Sequence, residues 1–232
     1  MLNDLAGREK LFALGLRQGP VVARGGKYVW GQNLREVAEF VGLHTATPQL
    51  DVTGTGHQLL PPDQLLHKWV FALHAAQRYV RQIPSDRLND SIISTSDRSI
   101  RIVAHHLFRI GEAFIETVVD GAPWVMMHHA IPPLDGTFTT GAEIARYGDS
   151  VIARLQRWWD GLRDESTKPL ERMLDTYHGT MPVYLLYERC TWHSAQHARQ
   201  LSAVLERFGI EPDGRLTADD LAGLPMPDGI WV

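Results

Sequence analysis

The chain has 232 residues, of which 44% are hydrophobic and 22% charged, and its formal net charge is −4. That suffices for one packed domain with a small appendage and excludes a globally disordered chain. The mild acidity, with a pI of 6.2, leaves no basic footprint for nucleic acid or for an anionic membrane surface.

The single cysteine, Cys190, excludes an intramolecular disulfide and any CxxC pair. The opening run from Met1 to Lys10 lacks the apolar core of a signal peptide. No apolar stretch approaches the roughly 18 residues that a membrane span needs. A cytoplasmic protein is expected.

Residues 1–43 read as a small α-β-hairpin-α unit. An amphipathic stretch from Asp4 to Leu16 precedes two β-rich runs between Pro20 and Trp30, broken by Gly25-Gly26. Paired glycines accept the positive φ of a tight turn, so a hairpin is expected there. Asn33 and Glu36 have capping-box spacing for a helix that reaches about Val41, with Gly42 suited to its end. Residues 44–61 hold Pro48, Gly54, Gly56 and Pro61 and show no periodicity, so they read as a linker.

Residues 62–232 are expected to form an up-down four-helix bundle, mainly α, with long helices near 63–82, 97–119, 141–164 and 182–208. Apolar residues recur at three- and four-residue steps in each, as in Ile144, Tyr147, Val151, Leu155, Trp158 and Leu162. Thr140 and Glu143 form a second capping box, and Gly209 closes the last helix. The segments 121–139 and 165–181 are long for bundle connections and read as loops that could shape a mouth.

Eleven histidines are present, and helical periodicity sorts them. His193 and His197 lie about 40° apart on the wheel, inside the apolar stripe of Val183, Leu186, Cys190, Leu201, Val204 and Phe208. Two imidazoles four residues apart can ligate one ion, and a metal satisfies two such buried rings together. The plainer alternative is a pair of core histidines bonded to protein groups. In the second long helix, His106 lies at the edge of the stripe of Val103, Leu107 and Ile110 and can turn inward. His105 points away, among Arg101, Arg109 and Glu112, and is expected to meet solvent.

His67 and His74 are expected to be solvated, His128 and His129 to lie on a loop surface, and His44, His57 and His178 to have nothing to pair them. Cys190 shares the stripe of His193 and is read as a small packing residue. Glu188 is turned off the histidine stripe, so nothing supplies the general base of an HExxH site. Three ligands from two helices would leave an open metal position, as in catalytic sites.

Two stretches resemble the DinB/YfiT-like superfamily of metal-binding four-helix bundles. Ser99-Ile-Arg-Ile-Val-Ala-His105-His106-Leu is similar to its second-helix motif, and Trp192-His193-Ser-Ala-Gln-His197-Ala-Arg-Gln-Leu201 to its last-helix motif. The resemblance covers about residues 62–209. It implies His106, His193 and His197 as ligands of Zn²⁺ or Ni²⁺. It further implies an enzyme that uses a low-molecular-weight thiol, of glutathione, mycothiol or bacillithiol type, as cosubstrate in S-transfer to a small electrophile. A metal hydrolase and a non-catalytic, ligand-binding stress-response bundle are the alternatives.

The first unit resembles the latter half of a glutaredoxin or thioredoxin fold. Pro20 falls where such proteins present backbone to a bound thiol, although the half that carries CxxC is absent and redox catalysis by this unit is excluded. A hairpin with one or two helices cannot hold a core alone, and its unpaired strand edges favour a homodimer.

Overall fold

The computed structural model describes residues 5–15, 21–31, 34–42, 58–93, 98–165, 168–227 and 229–230. The chain divides into two compact units, Met1–His57 with Asp175–Thr180, and Gln58–Leu174 with Met181–Val232.

In the first unit, α1 (Leu5–Ala13) is followed by strands β1 (Val21–Arg24) and β2 (Lys27–Trp30), then by α2 (Leu34–Val41). The strands pair antiparallel with Val21 opposite Trp30 and Arg24 opposite Lys27. Gly25 and Gly26 take φ of 56° and 76°, the left-handed pair that a two-residue hairpin turn requires. Gly42, at φ 80°, ends α2, and its N–H donates to the Glu39 carbonyl at 3.1 Å. Pro20, Asn33 and most of the expected linker lie outside the described residues.

The second unit is built on α3 (Pro62–Gln82), α4 (Ile100–Val118), α6 (Gly141–Glu165) and α8 (Val183–Arg207), within a few residues of the expected spans. Pro62 starts α3, where a missing N–H costs nothing. The Ser99 hydroxyl accepts from the Ile102 N–H to cap α4. The Thr140/Glu143 box forms in both directions: Glu143 N–H donates to the Thr140 hydroxyl, and the Glu143 carboxylate accepts from the Thr140 N–H, each at 3.2 Å. Gly209, at φ 73°, follows α8.

Around the bundle, α3 packs on α8 and α6, and α4 packs on α8 and α6. The side-chain contacts give the directions. Tyr187 meets Pro62 while Trp69 meets Ser194, so α3 and α8 run parallel. Ser194 meets Leu107 while Arg207 reaches Ile92, so α4 and α8 are antiparallel. Tyr147 meets Phe108 and Trp158 meets Phe114, so α4 and α6 are parallel. The order is therefore up, down, down, up. This refines the simple alternation: the antiparallel successions α3–α4 and α6–α8 hold, and a crossover joins α4 to α6.

That crossover replaces the expected loop 121–139. It contains a one-turn helix, α5 (Met126–His129), and runs back along α4, with His128 at Glu116 and Thr137 at Arg101. The expected loop 165–181 likewise holds structure, a short helix α7 (Lys168–Glu171) and strands β3 (Met173–Thr176) and β4 (Gly179–Pro182) that pair with each other.

The core centres on Trp69, Phe114, Tyr187 and Trp158, whose rings meet at 5.0–5.7 Å. Trp69 Nε1 donates to the Ser194 hydroxyl, which donates in turn to the Leu107 carbonyl, so the polar tip of the indole is satisfied inside the core. After α8 the chain folds back along α3, where Arg78 and Lys68 donate to carbonyls of Asp213 and Asp220. Among the described residues no helix is long and apolar enough to cross a membrane.

Glycine sets two approaches in the bundle. A Cβ on Gly148 would lie 2.6 Å from the Phe108 ring, and one on Gly141 would lie 1.8 Å from the Val80 carbonyl oxygen. Gly141→Ala must displace backbone, so it should cost at least about 1–3 kcal/mol. Gly161→Ala, where nothing lies within 4 Å, should instead stabilise by about 0.5–1 kcal/mol through helix propensity. Urea unfolding of the two variants should move in opposite directions; equal effects would contradict the packing at Gly141.

Candidate metal centre

Helix α4 offers His106, and α8 offers His193 and His197 one turn apart. The antiparallel packing of α4 on α8 brings the three rings together, with centroids 5.0 Å (His106–His197), 5.3 Å (His106–His193) and 4.8 Å (His193–His197) apart. One ring nitrogen from each lies within 4.8 Å of the others. The Nε2 atoms of His193 and His197 are 3.1 Å apart. Ligand nitrogens about 2.0–2.1 Å from a tetrahedral ion stand roughly 3.3 Å from each other, so small ring rotations fit the set to one ion.

Each of two rings is turned by its other nitrogen. His106 Nδ1–H donates to the His129 carbonyl at 3.0 Å, and His197 Nδ1–H donates to Gln200 Oε1 at 2.7 Å. Protonation at Nδ1 leaves the Nε2 lone pair bare, which is the tautomer that ligates. Burial, with His197 and Arg98 nearby, holds His106 well below the ordinary imidazole range. Burial and the facing His197 and His106 do the same for His193, and burial lowers His197 to about 4. All three are neutral at pH 7 and ready to bind a cation.

Cys190 is buried and stands outside the ligand group. Its thiol is pushed well up by burial, so it stays protonated, as a packing residue would. Glu188 is also buried and outside the group.

Three expectations need correction. His105 is 7% exposed rather than solvated. The crossover and α6 cover that face of α4, and the ring stacks on Tyr147 at 5.2 Å and meets Phe138 at 5.1 Å. His105 Nδ1 makes no hydrogen bond among the described residues. The wheel assigned the direction of His105 correctly but could not foresee a second covered face.

His129, expected on a loop surface, is buried. Its ring lies flat on Trp124 at 4.9 Å, 5.7 Å from His106 and 6.2 Å from His193, so it walls the triad without joining it. The only hint in the sequence was an aromatic residue near a histidine doublet. His178, expected to pair with nothing, is buried and packs on Tyr177 at 3.8 Å. His67 and His74 are exposed as expected, and His44 and His57 lie outside the described residues. The cleft of about 430 Å³ between α3 and α6, lined by Asp63, His67, Gln156 and Trp159, contains none of the triad.

With this geometry in place, the bundle compares with a solved structure of YfiT from Bacillus subtilis, at a TM-score of 0.51 over 73% of this chain and 97% of that chain. The bundle has the YfiT fold. That protein is described as a probable metal-dependent hydrolase with an unusual four-helix bundle topology, and its identity to this chain is 14%. No family profile and no curated protein sequence matches the chain. The likeness to YfiT establishes fold, and the histidines of this YfiT-like bundle make the case for the metal.

His106→Ala should abolish stoichiometric binding of a divalent metal. His105→Ala should retain one ion per chain but lose about 1–3 kcal/mol of stability, because a buried ring is removed. Metal analysis after gel filtration, with thermal unfolding of the same samples, tests both; metal loss in His105→Ala equal to that in His106→Ala would refute the assignment.

Proposed function

We propose that the chain is a metal-dependent S-transferase, in which His106, His193 and His197 hold Zn²⁺ or Ni²⁺ and a low-molecular-weight thiol supplies the nucleophile. The observation that carries this reading is a ligand group of three neutral imidazoles with no carboxylate in it. A divalent ion held by such a set keeps its full charge and a free position, where it would lower the pKa of a bound thiol.

The surroundings support an anionic sulfur at that position. Arg98 acts electrostatically on His106 and His197, and Arg189 acts on His193 and His129. Both guanidiniums add positive potential beside the triad. Trp124 and His129, stacked on each other and buried, wall the triad on the side of α5. The expected setting is the cytoplasm, where such thiols stay reduced.

The second reading is hydrolysis, with water in place of the thiol; the description of YfiT favours it. Against it, Ser194 stands where an HExxH site carries its general base, and its hydroxyl is committed to Trp69 and the Leu107 carbonyl. We further propose that the first unit contributes to a homodimer, because Phe12, Tyr28 and Val41 stand exposed in the single chain. Pro20 is proposed as a backbone contact for the thiol.

Titration of the Co²⁺-loaded full chain with glutathione, mycothiol and bacillithiol tests the main reading. One of the three should raise a sulfur-to-cobalt charge-transfer band and be consumed when an electrophile is added. No band with any thiol, together with ester or amide hydrolysis, would replace S-transfer by the second reading. Sedimentation of the same preparation should give a dimer; a monomer would remove the proposed role of the first unit.

A further inference from the structure

The α4 ligand is not oriented by its own helix. His106 Nδ1 donates to the carbonyl of His129, which belongs to α5 on the crossover. A helix of one turn has no stability of its own, so something outside it must fix where that carbonyl stands. The side chain next to His129 ties α5 to α4. His128 Nε2 donates to Glu116 Oε2 at 2.7 Å, and the same oxygen accepts from Arg109 Nη2 at 2.7 Å.

Arg109 is 7% exposed, and its other terminal nitrogen donates to Glu112 at 3.0 Å. A guanidinium so buried is tolerated only when its charge is matched, and here two carboxylates match it. Glu112 is fixed from α6 in turn, by the Tyr147 hydroxyl at 2.6 Å and by Arg154 at 3.4 Å. Burial raises the Glu116 carboxyl, but the bonds from Arg109 and His128 outweigh it and hold the group ionised. The network therefore runs from α6 through α4 to α5, and its far end carries the oxygen that turns His106.

We infer that Arg109, Glu116 and His128 form a clamp that positions the His129 carbonyl, so that this network, remote from the ligand atoms, sets the orientation of His106 and the affinity of the metal centre. Glu116 and His128 are positioning residues in this account, since they act only through His129. The inference rests on the three-histidine metal reading and extends it to residues that touch no ligand atom. Partners one step removed from a metal commonly change its affinity 10- to 100-fold, and this clamp lies one step further out.

The test uses the full chain loaded with Zn²⁺ or Co²⁺. His128→Ala removes the tie from α5 to Glu116 and leaves the Arg109–Glu116 pair and all three ligands in place. It should speed metal transfer to a chromophoric chelator by about tenfold and alter the Co²⁺ ligand-field bands. His128→Gln, which keeps an N–H within reach of Glu116, should recover most of both.

Leu65→Ala, which opens a cavity on α3, a helix that carries neither ligand nor clamp residue, should release metal at the unaltered chain's rate. If His128→Ala does not fold, Glu116→Gln weakens the same bonds with little change of shape and should give a smaller acceleration. Unchanged metal release in a folded clamp variant, or equal acceleration in Leu65→Ala, would overturn the inference. An unaltered chain that takes up no metal would overturn the inference together with the metal reading beneath it.

Discussion

Two adjacent parallel helices cannot be joined by a tight turn, and this constraint shapes the whole bundle. Helix α4, Ile100–Val118, spans about 28 Å at 1.5 Å per residue. The chain must return that distance before α6 begins at Gly141. An extended segment of about nine residues would suffice, but residues 119–140 do more than span the gap. They lie back along α4, cover His105 with Phe138, and bring His129 beside the histidine triad. The crossover is thus both a connection and one wall of the site.

Charge balance explains the arrangement inside that wall. The triad is neutral, Arg98 and Arg189 act on it with positive charge, and its ligand group includes no carboxylate. The carboxylates Glu112 and Glu116 are held instead on the outer face of α4, committed to Arg109, His128, Tyr147 and Arg154. Separation of this kind leaves the charge of a bound ion uncompensated, which suits the activation of an anionic nucleophile.

Much of this was legible in the sequence, because period and capping are local properties. Three- and four-residue spacing located the four helices, Thr140 with Glu143 marked the start of α6, and Gly25-Gly26 marked the hairpin turn. The triad could be read because His193 and His197 occupy an apolar stripe where unpaired polar groups are costly. The rest depended on tertiary placement. No wheel shows that a second face of α4 is covered, so periodicity alone places His105 in water. Nothing periodic marks a one-turn helix, so His129 was expected on the surface. The physical role of the trailing Gln200 of the last-helix motif lies in the fold, where its side chain orients His197.

The central claim is that one divalent ion is held by three imidazoles and by no sulfur of the chain itself. X-ray absorption at the metal edge of the Zn²⁺-loaded protein, free of added thiol, measures that first shell directly. The expected result is three imidazole nitrogens near 2.0 Å, completed by light-atom scatterers from solvent. A sulfur scatterer near 2.3 Å would make Cys190 a ligand, and fewer than three imidazoles would break the triad; either result contradicts the account.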